Sequence, residues 1–434
     1  MPKILPMPFS YFSRKYRVVA IETSCDDTSV CIIDKNDKYT PPVLIGHIKH
    51  SLDTTHDGGI VPKKAHLLHQ QMVGQTVHDL LKNHRDQPVS LVCATRGPGM
   101  NASLASGYEV AKGLAVGWNV PLIGVHHMLG HLLTPRMFNW QVGSVPIDPL
   151  QYSPNPLFPF LSLLASGGHT ILVLSSSLFD HKIIANTVDI AVGDAIDKCA
   201  REIGLKGIML GSVLEKFVKQ GQMFNSYASL TKYPSLKFPD PLKDIKGRVN
   251  TAAFSFAPFT TSIKENIAKK YPNATRNNIC EVIPLEHRYQ IAYEIQEAIF
   301  DHITKRMRSA INPGYISKTM ARKIKDELRK GKNYERTKAP REDLLHIKDL
   351  VLSGGVGSNL RFRDKIRESF PNIENFHFPE PEWCSDNAVM IGWAGIELWE
   401  NGIETDLRSY SQPKWSIEDL TKIEGWRNQK KNVN

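Results

Sequence analysis

Residues 16–34 read YRVVAIETSCDDTSVCIID, and residues 158–177 read FPFLSLLASGGHTILVLSSS. Each is an apolar, β-branched run, a short polar turn and a second apolar run, which is the pattern of a β-hairpin. The second stretch opens about 140 residues after the first, so the chain begins the same design twice. Two such openings predict an internal duplication, with each hairpin turn pointing into a shared cleft. Small residues in those turns let backbone N–H groups come close to a phosphate.

Working outward, LVCAT (91–95) is a short buried strand that runs into RGPGMNASLASGYEVAKGLAVGW (96–118), a glycine-rich turn and a helix with small residues on one face. PLIGV (121–125) is a further strand. DLVLSGGVGSNLRFRDKI (349–366) repeats the theme as strand, glycine-rich loop and amphipathic helix. A loop feeding a helix N-terminus is an anion site in waiting, although alone it is also a common structural turn. Strands alternating with helices predict an α/β fold. Duplicated and two-lobed, the plan is by analogy that of the actin, hexokinase and Hsp70 group (ASKHA) of phosphate-handling proteins. The expected division is a first lobe of residues 17–157 plus about 387–415, a second lobe of 158–386, and a C-terminal tail of 416–434.

The length of 434 residues exceeds what one hydrophobic core usually supports, which agrees with two lobes. A formal net charge of +10 favours an anionic partner such as nucleic acid, although solubility alone would also account for it. The six cysteines are scattered without a CxxC pair, which argues for a reducing compartment and against a cysteine zinc site. No apolar run reaches membrane-spanning length, so a soluble protein without a membrane partner is expected. The first 16 residues, with Arg17 following, carry Lys3, Arg14 and Lys15 and no acid before Glu22. That composition fits a mitochondrial presequence, and so a matrix location, or else a short basic tail. Residues 144–159 are proline-rich and read as a loop between lobes. Residues 317–348 are dense in Lys and Arg, either a solvated helix pair or an RNA-facing patch.

The segment HHMLGH (126–131) has His127 and His131 four apart, which puts both rings on one helix face and allows two ligands to one metal. His126 lies roughly 100° around the helix and points elsewhere or supports a neighbouring ligand. A metalloprotease of the HExxH kind is excluded, because Met128 stands where the general-base Glu belongs.

Eight segments together carry a family resemblance: IETSCDDT (21–28), GGIVPKKAHLLH (58–69), RGPGMNASL (96–104), GVHHMLGHLL (124–133), LLASGGHT (163–170), VGDAIDKCAREIGL (192–205), SGGVGSNLRFR (353–363) and CSDNAVMIGWAG (384–395). In this order they resemble the tRNA N6-threonylcarbamoyladenosine transferases, over residues 18 to about 415, and with the basic leader the fungal mitochondrial branch. The resemblance implies transfer of a threonylcarbamoyl group from threonylcarbamoyl-adenylate, supplied by a separate synthase, to N6 of the adenosine 3′ to the anticodon (position 37) in tRNAs reading codons that begin with A. AMP is released. The tRNA anticodon loop is thus the implied partner, and a homodimer the implied assembly.

Residue by residue, the resemblance makes His127, His131 and Asp386 ligands of one divalent metal ion per subunit, with a donor set suited to Fe(II) or Zn(II). It makes Ser166, Gly167, Gly168, His169 and Thr170 the phosphate-side turn, and places Asp197, Gly211, Glu215 and Asn359 around the nucleoside. Archaeal relatives add a tyrosine ligand where this chain has Leu164, and GIMLGSVLE replaces the PGGP-like stretch before the position aligned with Gly211. Asp26 is the catalytic base by family position, and Asp27 the weaker candidate; the plainer role for Asp26 is to orient water or cap its turn. Lys63, Lys64 and Arg96 are expected to grip RNA phosphates. Two other readings share the motifs: a small-molecule kinase of the same superfold, and a nucleotide-responsive scaffold without catalysis.

Overall fold

In the computed structural model, described over residues 15–54, 57, 59–142, 152–224, 233–242, 253–311, 344 and 346–428, the hairpin at residue 16 seeds a five-stranded sheet. Its strands are β1 (Tyr16–Glu22), β2 (Asp27–Lys35), β3 (Val43–Ser51), β4 (Leu91–Gly97) and β5 (Leu122–His126), in the order β3-β2-β1-β4-β5. The first three are antiparallel neighbours, while β4 and β5 join parallel to β1 through crossover helices. These are α1 (Pro62–Leu81) and α2 (Asn101–Trp118), and α3 (His127–Phe138) follows β5 directly. Most of the expected leader, the basic insertion and the ends of the linker and tail lie outside the described residues.

After a two-stranded ribbon, β6 (Trp140–Val142) with β7 (Tyr152–Pro154), the plan repeats. The strands β8 (Phe160–Ala165), β9 (Thr170–Ser175) and β10 (His181–Thr187) form an antiparallel meander. β12 (Asp349–Ser353) and β13 (Asn375–His377) add parallel to β8, and the two-residue β11 (Ala253–Phe254) edges β10. Without that edge the order is β10-β9-β8-β12-β13, strand for strand the order of the first sheet. Between β10 and β12 lie α4 (Val192–Glu202), α5 (Leu210–Phe224), α6 (Ala257–Lys270), α7 (Ile279–Val282) and α8 (Leu285–Ile311); α9 (Leu360–Ser369) joins β12 to β13. The chain closes with α10 (Pro381–Cys384), α11 (Ala388–Glu400) and the ribbon β14 (Ile403–Thr405) with β15 (Trp426–Asn428).

Period-two alternation along the strands sorts the core into layers. Val19, Ile21, Val30 and Ile32 face α1 and α2, whereas Val18, Ala20, Cys31 and Ile33 face the middle of the molecule. In the second sheet Leu161 and Leu163 face α4–α9, while Phe160 and Leu164 face the same middle layer. That layer consists of α3 and α11, packed on each other. The final helix, α11, lies on β1, β2, β4 and β5 of the first sheet, while α3, which ends the first half, reaches β8 and β12 of the second. Each half is therefore closed partly by a helix the other contributes.

The two helices are tied by a buried fork. Arg136 Nε donates to Glu397 Oε1 at 2.8 Å and its Nη2 to Oε2 at 3.0 Å, and Nη1 donates to the Pro156 carbonyl. Beyond α11, Trp415, Ile417 and Leu420 join the middle core. The Trp415 carbonyl meets His126 of β5 while Glu418 Oε1 accepts from the Ile183 N–H of β10 at 2.8 Å, so residues 415–420 bridge the two sheets. Arg96, expected as an RNA-gripping cation, is 1 % exposed. Its guanidinium donates to the carbonyls of Tyr410 and Glu424 and lies near the Trp415 and Trp426 rings. Its charge is used to anchor the C-terminal segment, and the expectation of a surface contact is corrected accordingly.

Candidate active site

His126 ends β5 in extended backbone and caps α3, its Nδ1 accepting from the Met128 N–H at 3.2 Å. Its Nε2 lies 3.1 Å from the Trp415 carbonyl, and its ring packs on that indole, so this imidazole points away from its two neighbours. His127 and His131 then share the inner face of α3, both buried, with ring centroids 4.9 Å apart. Asp386 arrives from the loop between α10 and α11, its Oδ1 at 3.0 Å from His131 Nε2 and 3.6 Å from His127 Nε2. The three ligand atoms lie within 4.8 Å of one another, and among the described residues no other group of His, Cys, Asp or Glu side chains is so placed. Two buried imidazole nitrogens and a partly exposed carboxylate oxygen converge here and fit one Fe(II) or Zn(II) ion with coordination positions to spare.

A layer of supporting contacts orients these ligands. Glu22, fully buried at the end of β1, places Oε2 3.3 Å from His127 Nδ1 and also accepts from the Ser24 N–H and the Thr95 hydroxyl. Ser24 Oγ lies 3.1 Å from the same Nδ1. With Nδ1 so occupied, Nε2 faces Asp386. Lys49 from β3 holds the Asp386 loop by donating to the Asp386 carbonyl at 2.8 Å and Ser385 Oγ at 3.1 Å. Burial disfavours charge on His127, yet the carboxylates of Asp386 and Glu22 outweigh it and raise the imidazole to about 9. Burial alone would raise the Asp386 carboxyl, but the two imidazoles bring it below the usual carboxylate range. The pocket is thus built to hold positive charge, which a proton supplies when no cation does.

The second hairpin turn meets this centre. Ser166 Oγ accepts from the N–H groups of Gly168 and His169, which curls the turn, and the His169 ring lies 6.2 Å from His127. Gly167 and Gly168 are exposed, with open space where a side chain would project. The N-terminus of α4 is pressed onto the turn: Gly193 N–H donates to the Ser166 carbonyl, and a Cβ there would come within 2.8 Å of Ser166 O and Gly167 N. The β12 loop closes the other side. Gly354, at φ +86°, lies so near β8 that a Cβ would stand 2.4 Å from the Ala165 carbonyl. The glycine-rich turns of two loops and the start of α4 are therefore packed together on the second lobe, with the His169 ring beside the histidine–carboxylate cluster.

Comparison with known proteins settles the family. The model of the tRNA N6-adenosine threonylcarbamoyltransferases matches residues 43–393. The mitochondrial tRNA N6-adenosine threonylcarbamoyltransferase of Schizosaccharomyces pombe is 32% identical across 96% of this chain and 90% of its own. The chain belongs to this threonylcarbamoyltransferase family. Solved structures similar at a lower level include HypF of T. kodakarensis (13% identity, 89% of this chain and 48% of that one, TM-score 0.40). Component A of the Acidaminococcus fermentans (R)-2-hydroxyglutaryl-CoA dehydratase is another (10% identity, 88% and 98%, TM-score 0.40).

As a member of the threonylcarbamoyltransferase family, the chain is a transferase of tRNA modification with the duplicated, two-lobed α/β fold expected from its hairpins. The remaining expected site residues fall in two groups. Asp26 sits in the first hairpin turn, where burial first and then the Asp386 charge raise its carboxyl. Asp27 is engaged by Lys49 at 2.7 Å and by the Ser51 hydroxyl. Further out on the second lobe, Asp197 Oδ1 accepts from Gly211 N–H at 3.0 Å, Glu215 Oε1 accepts from Leu360 N–H at 3.2 Å, and Asn359 caps α9 while donating to Gln296. Those four residues link α4, α5 and the start of α9 into one wall. Glu22, Ser24, Lys49 and Gly193 were missed by sequence reasoning. Only the presence of Glu22, Ser24 and Gly193 inside matched motifs could have pointed to them. Lys64 is paired with Asp57 at 2.7 Å, and Lys63 is exposed.

Proposed function

We propose that this enzyme moves the threonylcarbamoyl group of threonylcarbamoyl-adenylate onto N6 of adenosine 37 in tRNAs that read codons beginning with A, and releases AMP. One observation carries the reading: the Ser166–Thr170 turn of the second lobe stands against the His127–His131–Asp386 cluster, with His169 and His127 rings 6.2 Å apart. An acyl phosphate lying on the turn would present its reactive carbonyl to that cluster.

The chemistry needs help because the adenine amine is a poor nucleophile, its lone pair delocalised into the ring. A divalent cation held by His127, His131 and Asp386, Fe(II) or Zn(II), would polarise the carbonyl and offset charge on the departing phosphate, contributing several kcal/mol. The amides of the 166–170 turn and the 353–359 loop hold the phosphate. As the N6–carbonyl carbon bond forms and the carbonyl carbon–phosphate oxygen bond breaks, the N6 proton passes to Asp26, whose carboxyl is raised above its ordinary value by burial and the Asp386 charge and so holds a proton more readily than a free aspartate. Asp197, Gly211, Glu215 and Asn359 form the wall for the nucleoside of the adenylate. The target base lies in a single-stranded loop and can be splayed outward without opening a duplex.

The acyl donor comes from a separate synthase, the protein works as a homodimer, and its place is the mitochondrial matrix. The basic leader and the mitochondrial name of the fission-yeast relative support that location. The test is a mixture of this protein, a threonylcarbamoyl-adenylate synthase, threonine, bicarbonate, ATP and tRNA, with nucleosides analysed by mass spectrometry. Appearance of threonylcarbamoyladenosine that is lost with Asp386→Ala supports the reading. Donor formation without any modified nucleoside overturns it.

A further inference from the structure

Seven residues beyond His131, on the same face of α3, Phe138 ends the helix with 43 % of its surface exposed. One face of its ring is stacked on Trp383, with centroids 5.5 Å apart and planes at 21°. Trp383 stands three residues before Asp386, packs against the middle core, and has its ring 5.6 Å from that of His47. His47 and Lys49 share one face of β3, so Lys49 steadies Asp386 while His47 supports the Trp383 ring. The metal cluster and this aromatic step are thus built on the same three elements. Seven helical residues span roughly 10 Å.

An aromatic ring held half in the open beside a nucleic-acid enzyme's reactive centre has a specific use. β3 and α3 carry no acidic residue, while α10, which bears Trp383, carries Glu382 with Glu380 at its N-cap, so the approach open to a polyanion runs along β3 and α3. RNA that delivers an adenosine to the cluster must cross the ground next to it, and unstacked bases of a loop seek flat π surfaces. From this continuity we propose that the free face of Phe138 stacks an unpaired base of the anticodon loop, lying within about three nucleotides of the target adenosine at a rise of roughly 3.4 Å each. Trp383 backs the ring so that it does not rotate away. Phe138 is then a positioning residue: it sets the reach of the loop rather than touching the reacting atoms. This inference rests on the tRNA-transfer reading, but its test needs no acyl donor, so the two can fail separately.

The experiment is fluorescence anisotropy of a labelled anticodon stem–loop on the full, metal-loaded chain at fixed ionic strength, for wild type, F138A, F138L and F138W. F138L keeps apolar bulk against Trp383 without a π face. Loss of stacking predicts Kd weaker by about 5- to 150-fold in F138A and F138L, and retained affinity in F138W. Single abasic substitutions at each of the three nucleotides either side of the adenosine supply a double-mutant cycle. One abasic site should weaken wild-type binding as much as F138L does, and weaken F138L no further. Wild-type affinity in F138L, or full additivity at every abasic site, overturns the proposal. So does a loss of bound metal in F138L matching its loss of RNA, which would make the stack a clamp on Asp386.

Discussion

Glu22 Oε2 lies 3.3 Å from His127 Nδ1, with both side chains buried. A carboxylate behind a ligating imidazole fixes its tautomer and raises its basicity, and removal of such a partner typically lowers metal affinity 10- to 100-fold. Glu22→Gln should therefore weaken metal binding by about that factor, measured by competition with a chromogenic chelator. His131→Ala should remove stoichiometric metal altogether. Unchanged affinity in Glu22→Gln would show that Ser24 alone orients the ring.

Asp197 gives a pH-dependent effect with a definite sign. Burial raises its carboxyl from the ordinary 3.8 to about 6, with Arg201 and the Gly211 N–H opposing. A carboxyl raised on folding contributes stability that is fully present below about 3.8 and is lost as pH rises through about 6. Asp197→Asn should then stabilise the fold at pH 7.5, by about 3 kcal/mol at most, with the gain gone at pH 4. Thermal melting at the two values reads this directly. Equal gains at both would exclude the ionisation as the cause.

Arg136 and Glu397 join the two exchanged helices as a forked, buried pair. Arg136→Ala strands the carboxylate and should cost about 3–5 kcal/mol, whereas an apolar pair of similar volume at both positions should come near wild type. Urea unfolding of the single and double variants distinguishes these outcomes.

Gly193 tests the phosphate turn. Its Cβ would meet backbone, not a movable side chain, at Ser166 and Gly167, so Gly193→Ala should push the turn out of place. Overpacking of this kind costs about 1–3 kcal/mol, and adenylate affinity should fall more than stability does. Calorimetric titration with AMP beside a melting curve provides the comparison.

How much of this was legible beforehand depends on the range of each interaction. The hairpins at residues 16 and 158 were readable because strand periodicity and turn composition are local, and two copies of one pattern imply one topology. His127 and His131 were readable as a pair from helical spacing. Asp386 was not, because nothing within the sequence says that a loop some 255 residues further on returns to the same point; only the family resemblance supplied it. Arg96 looked like surface charge and proved buried, since its acceptors are carbonyls of Tyr410 and Glu424, which carry no side-chain signal. Glu22 hid for a similar reason: an acid inside an apolar strand has no periodicity to announce its partner.

The exchange of α3 and α11 also bears on how the polypeptide is made. Val18, Ala20, Cys31 and Ile33 leave the ribosome early, while the helix that covers them, residues 388–400, is among the last to be translated. Until it arrives, one side of the nascent first sheet is bare and adhesive. The first sheet therefore cannot be covered on that side before residues 388–400 exist, and a chain truncated before residue 388 should expose the face formed by Val18, Ala20, Cys31 and Ile33.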